Sequence, residues 1–123
     1  MSDAAELPTR IECIDPILAV EDMDRSVRYY VGVLGFENAP WGNAEFTHVA
    51  RDGRGIYLCR RGQGRPGAWV WVGVGDARAL FEAYRARGAI VRREPRDEPW
   101  GLEMQIEDPD GNVLRFGSDR EDR

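Results

Sequence analysis

The chain has 123 residues, 42% of them hydrophobic and 32% charged, with a formal net charge of −5. That is enough for one globular domain with its own core, argues against a general nucleic-acid binder, and leaves no stretch near the roughly 18 consecutive apolar residues of a membrane span. All 17 basic residues are arginine, which excludes a Schiff-base lysine.

Taken in chain order, residues 1–10 read as a flexible leader with neither the basic region nor the apolar core of a signal peptide, so a cytoplasmic protein is expected. In that setting the two cysteines, Cys13 and Cys59, are expected to be buried free thiols rather than a disulfide. Ile11 to Val20 reads as a strand. Asp22 is placed to cap a helix whose apolar stripe is Val27, Tyr30, Val31 and Leu34, and Gly35 sits where a helix ends. A short extended piece, Phe36–Ala39, leads into Pro40-Trp41-Gly42. Two strands, about Glu45–Arg51 and Gly55–Arg60, flank an Asp52-Gly53 hairpin turn. Residues 61–67, rich in glycine with one proline, read as a linker. A second series follows: strand Ala68–Val74, a helix capped by Asp76 that buries Leu80, Phe81 and Tyr84 and ends at Gly88, a short strand Ala89–Arg93, a loop, and two strands around Asp108-Pro109-Asp110-Gly111-Asn112. Residues 118–123 are a charged tail.

The two series are copies of one pattern. Val20 matches Val74 and Asp22 matches Asp76, each 54 residues on. Pro40-Trp41-Gly42 recurs as Pro99-Trp100-Gly101, and Asp52-Gly53 as Asp110-Gly111. A repeat of this length defines the architecture: an α+β fold of two βαβββ modules, 11–60 and 68–117, forming one cupped, eight-stranded mixed sheet with a site between the copies. Strand alternation then sorts the side chains. Val70, Val72, Val74, Leu114 and Phe116 face the helices, as do Pro16, Leu18 and Val20. Asp15, Ile17, Tyr57, Trp69, Trp71 and Arg115 face the concave side, with Asp15, Tyr57, Trp69 and Arg115 at its four equivalent corners.

The segments AVEDMDRSVRYYVGVLGF, VGVGDARALFEAYRARGA and EPWGLEMQIEDPDGNVLRFG together resemble the vicinal oxygen chelate superfamily of glyoxalases, bleomycin-resistance proteins and extradiol dioxygenases, over about residues 11–117. The resemblance implies the glyoxalase-like fold. Enzymes of that family place His, Glu, His or Gln, and Glu at the four corners to hold a metal. Here the corners are Asp15, Tyr57, Trp69 and Arg115, and an arginine cannot ligate a metal. No metal and no cofactor are therefore expected. The chain is most similar to the metal-free bleomycin-resistance branch, which implies a homodimer that binds drugs in grooves at its interface and confers resistance by sequestration.

An acidic chain with tryptophan walls suits a cationic, flat-ringed ligand. The residues expected to bind it are Asp15, Tyr57, Trp69, Trp71, Trp100, Glu103 and Arg115, with no catalytic residue assigned. Trp69 and Trp71 serve equally as ligand wall or dimer contact, Trp41 reads as loop packing, and Trp100 as a rim residue. Asp15 and Arg115 read first as a salt bridge across the concave face. His48, the only histidine, reads as a structural or surface residue whose face alternation leaves open. Cys13 shares the parity of Asp15 and reads as a buried thiol. Asp108 to Asn112 begins like a calcium loop but has Val113 at the sixth position and Asp119 at the twelfth, so it reads as a hairpin turn. The competing function is an enzyme of lyase or isomerase type acting on a small organic acid held by Arg115. A module with no ligand is the third reading.

Overall fold

The computed structural model describes residues 8–61 and 63–121, so most of the expected leader and the end of the tail lie outside the described residues. The order is β1 (Ile17–Ala19), α1 (Met23–Val27) continued by a π-helical segment (Arg28–Val33), β2 (Glu37–Asn38), β3 (Phe46–Arg51), β4 (Arg54–Cys59), β5 (Trp69–Gly73), α2 (Ala77–Ala86), β6 (Ile90–Glu98), β7 (Gly101–Glu107) and β8 (Val113–Ser118). The eight strands form two four-stranded sheets, β1-β4-β3-β2 and β5-β8-β7-β6. In each, the first strand of the copy pairs in parallel with its fourth and the remaining pairs are antiparallel. The repeat seen in the sequence is thus a repeat of topology.

Local chemistry accounts for the elements. Asp22 and Asp76 accept from the backbone N–H of Arg25 and Ala79, each closing the first turn of its helix. Asp52 and Gly53 both have positive φ, 54° and 78°, the turn that joins two right-twisted strands through two residues.

Three expectations change. The first strand is only Ile17–Ala19, because Pro16 accepts from the Tyr57 N–H but has no N–H to extend the ladder. Upstream, Ile11 and Ile14 are exposed. The first helix does not bury Val31: the wider π turn, closed by Leu34 N–H to Tyr29 C=O, brings neighbouring Tyr29 and Tyr30 both inward. The strand expected to stop at Arg93 runs on to Glu98 through Pro95, which an edge strand tolerates, with irregular register on either side of Arg93.

The helix-bearing faces of both sheets share one core. Leu18, Leu58 and Val49 of the first copy meet Met104, Ile106, Leu114 and Phe116 of the second, with Tyr30 and Tyr84 buried among them. No helix of the described residues is long and apolar enough to cross a membrane.

The Asp108–Asn112 turn does more than reverse the chain. Asp108 is buried and accepts from the backbone N–H of Asp110 and Asn112, the Asn112 side-chain amide and the Tyr30 hydroxyl. Asn112 donates to Ala19 C=O and accepts from Gly67 and Ala68 N–H. Asp110 accepts from Glu21 N–H, Arg25 and Ser26. One turn of the second copy thereby holds the strand end and helix of the first.

Tyr29, whose hydroxyl donates to Glu107 C=O and accepts from Ile90 N–H, is pushed up to about 12 chiefly by burial, and Tyr30 is raised well above its ordinary value by the same cause. Both are neutral acids whose folded pKa exceeds the unfolded value of 10.0. Their contribution is intact below that value and is lost as pH rises through the folded pKa. Stability is expected to fall between pH 10 and about 12 by up to about 1.4 kcal/mol per pH unit for each tyrosine. Thermal midpoints recorded across that window check it, and Tyr29→Phe should flatten the slope.

Candidate functional site

The strand registers place equivalent residues of the two copies side by side in meaning. Ile17 lies opposite Tyr57 as Trp71 lies opposite Arg115; His48 lies opposite Tyr57 as Gln105 lies opposite Arg115. Each sheet therefore presents a helix-free face with the same layout and different chemistry.

On the first sheet this face is aromatic. Trp41 stacks on Phe46 with ring centroids 6.3 Å apart, Phe46 stacks on Tyr57 at 5.2 Å, and the His48 ring leans on Tyr57 at 4.5 Å. His48 Nε2 lies 3.3 Å from Asp15 Oδ2. Gly55 allows this arrangement, since a Cβ there would overlap the imidazole. His48 is thus neither isolated nor on the outside of the fold. Asp15 lies just before β1 and still reaches this face, as expected.

On the second sheet the corresponding face is built on ions. Glu103 is fully buried in the middle of a strand. Arg115 donates to it from Nε (2.8 Å) and Nη2 (2.7 Å), Trp100 from Nε1 (2.8 Å) and Gln105 from Nε2 (3.1 Å). The Arg115 hydrogen bonds, which outweigh the effect of burial, hold the Glu103 carboxyl down at about 2. The Arg115 guanidinium lies 5.4 Å from the Trp71 ring centroid and 5.9 Å from that of Trp100, and Arg92 lies 4.9 Å from that of Trp69. Trp71 lies against Gly117, where a Cβ would overlap its six-membered ring. Trp69, Trp71 and Trp100 remain 52%, 50% and 57% exposed.

The seven expected residues are therefore not one cluster. Trp71, Trp100, Glu103 and Arg115 come together; Trp69 stands beside Arg92; Asp15 and Tyr57 belong to the His48 group. The expected Asp15–Arg115 salt bridge does not form. Arg115 pairs instead with Glu103, which lies opposite Gly117, two residues along β8 and so on the same face, and Asp15 pairs with His48. Glu103 is not available to a cation either, since four donors already occupy it. Cys13 is exposed and only Cys59 is buried, its thiol donating to Arg61 C=O; the loss of strand pairing before Pro16 explains the difference.

Beside the expected residues, these two faces also carry His48, whose role the sequence left open, and Phe46, Gln105, Arg92 and Arg93, which sequence reading did not single out. The hairpin turn held the signal for the first. His48 is four residues before Asp52 and Tyr57 four after Gly53, so a two-residue turn sets them opposite each other. The same count fails on β7 and β8, where five residues, 108–112, separate the strands and Gln105 rather than Ile106 lies opposite Arg115. Arg92 and Arg93 lie at the β6 irregularity, where alternation fails.

An open cleft of about 1220 Å³ also runs between the copies, lined by Asp15 and Trp71 together with Ile56, Val70, Val72 and Phe116. The donor sets do not fit a metal: among the described residues no three His, Cys, Asp or Glu side chains converge, and the corner arginine carries a permanent charge.

Comparison with known proteins agrees with this architecture. The family model described as "Glyoxalase/Bleomycin resistance protein/Dioxygenase superfamily" matches residues 10–116. The chain is similar to the crystal structure of a bleomycin-binding protein from Streptomyces verticillus complexed with copper(II)-bleomycin, with a TM-score of 0.77 and 25% identity over 89% of this chain and 98% of that one. It is similar to TioX from Micromonospora sp. ML1, with a TM-score of 0.71 and 26% identity over 85% and 94%. It shares its fold with TnmS3, an antibiotic binding protein from Streptomyces sp. CB03234, with a TM-score of 0.73 and 24% identity over 90% and 98%. No curated protein matches the chain in sequence. A match over residues 10–116, on a βαβββ repeat with this topology, means that the chain belongs to the glyoxalase/bleomycin resistance protein/dioxygenase superfamily.

Proposed function

We propose that the protein is a metal-independent small-molecule binder that sequesters a flat-ringed, drug-like ligand, acting as a homodimer with its grooves at the interface. One observation carries the reading: three tryptophans, Trp69, Trp71 and Trp100, stand half-exposed on the helix-free side of one sheet. Exposed indoles are costly in water and favour stacking partners. The similarity to a protein crystallised with copper(II)-bleomycin supports a drug as the ligand.

Tryptophan fluorescence of the protein, titrated with metal-free and copper-loaded bleomycin, tests it. Saturable quenching at one ligand per groove is the expected result, and no response into the millimolar range removes this drug class. Trp71→Ala is expected to weaken binding by about ten-fold or more, of the order of one lost aromatic contact, with folding intact by circular dichroism. If Trp71→Ala instead yields a monomer by light scattering, Trp71 is an interface anchor and not a ligand wall.

A second reading, an enzyme of the same superfamily acting on a small organic acid, draws on the His48–Asp15 pair. An imidazole held by a carboxylate is the usual arrangement of a general base. Against it, the His48–Asp15 pair lies on the first sheet and Arg115 on the second, so the chain does not bring a base beside the group that would hold the acid.

A further inference from the structure

We infer that the ligand of the second sheet's helix-free face is a planar aromatic anion, an aryl carboxylate or its sulfonate counterpart, and not a cation. The inference rests on the binding function proposed above and names its ligand class.

The chain as a whole is acidic, but the carboxylates of this face are matched by arginines. Arg92, Arg93, Arg96 and Arg115 pair with Glu98, Glu103 and Glu107. Every one of those carboxylates is already held: Glu98 by Arg93 and Arg96, Glu103 by Arg93 and Arg115, Glu107 by Arg92. Glu103 in particular accepts from four donors and has no lone pair left for an ammonium group.

The surplus on this face is of donors. Arg93 Nη2 lies 3.3 Å from carboxylate oxygens of Glu98 and Glu103, yet neither its Nε nor its Nη2 makes an aligned hydrogen bond among the described residues, although both atoms are buried. Buried guanidinium donors without acceptors are rare and unfavourable. Arg115 uses Nε and Nη2 on Glu103, so Nη1 stands outside that pair. An oxyanion supplies the acceptors these donors lack, and guanidinium groups recognise planar oxyanions well.

The tryptophans fix the rest of the ligand. Trp71 and Trp100 lie on the same guanidinium, 5.4 and 5.9 Å from its centre. Their faces are partly satisfied by cation–π contact, so an added cation competes with Arg115 for them. A neutral ring with an acidic group does not compete: the ring meets the indoles while the acid meets the arginines.

Calorimetric titration of the whole protein with 2-naphthoate, 2-naphthylmethanol and 2-naphthylmethylammonium separates charge from ring. The naphthoate is expected to bind about ten-fold more tightly than the alcohol, and the ammonium more weakly than either. Arg93→Gln should bring naphthoate down to the level of the alcohol while leaving the alcohol unchanged. Arg93→Lys, which keeps the charge but not the fork, should fall between. If the ammonium binds as tightly as the naphthoate, or Arg93→Gln leaves naphthoate affinity intact, the anion assignment is overturned while the binding function stands. If none of the three probes binds but bleomycin does, the assignment falls alone. If nothing binds, both fall.

Discussion

Asp108→Ala is expected to cost the fold about 3–4 kcal/mol, measured as the shift in chemical unfolding free energy. The carboxylate serves two backbone N–H groups, the Asn112 amide and the Tyr30 hydroxyl at once. Alanine leaves all four donors in a site that water does not reach. The damage is not local to the turn, because the same turn secures Ala19, Glu21 and Ser26 of the other copy. Asp110→Ala provides the graded comparison: its partners are nearer the surface, and the expected loss is about 1–2 kcal/mol.

Arg115→Met is expected to be comparably severe, about 3–5 kcal/mol, since it strands the buried Glu103 carboxylate without its main partner. Adding Glu103→Gln should restore a large part of the loss, because the charge that needed a partner is gone. The pair also has an acid signature. Glu103 is held at about 2 against an ordinary 4.5. For an acid whose folded pKa is depressed, the stabilisation is present above the unfolded value and disappears as pH falls through the folded one. Between pH 4.5 and about 2 the protein should lose on the order of 2–3 kcal/mol from this pair, the partial exposure of Arg115 and its screening by water included. Asp108 works in the opposite sense. Burial raises its pKa, so protonation on acidification relieves a cost. Subtracting the pH profile of the Glu103→Gln/Arg115→Met double variant from that of the parent isolates the Glu103 contribution, since Asp108 is common to both.

The sequence by itself determined the architecture. The 54-residue repeat, the paired helix caps at Asp22 and Asp76, the Asp-Gly turns and strict alternation in β5 and β8 are local signals, and each acts over a few residues of backbone. They were enough to put Trp69, Trp71 and Arg115 on one face and Val70, Val72, Leu114 and Phe116 on the other. Alternation gives a side chain its side of the sheet but not its partner. Which carboxylate Arg115 would meet was decided by the packing of β7 against β8, and which group Asp15 would meet by the Gly55 gap that lets His48 lie down. The far half of edge strand β6 escaped prediction for a related reason: its irregular register around Arg93 breaks the alternation and sets the Arg93 guanidinium, whose Nε and Nη2 lack an aligned hydrogen bond, beside Glu98 and Glu103. The tertiary structure also gave the Asp108–Asn112 turn its second task, since a hairpin signal says nothing of the strand and helix 78–93 residues away that its side chains hold. Local backbone preferences thus set the frame, while the ligand-facing chemistry arose from contacts between residues far apart in the chain, where burial and hydrogen-bond satisfaction choose among partners the sequence leaves open.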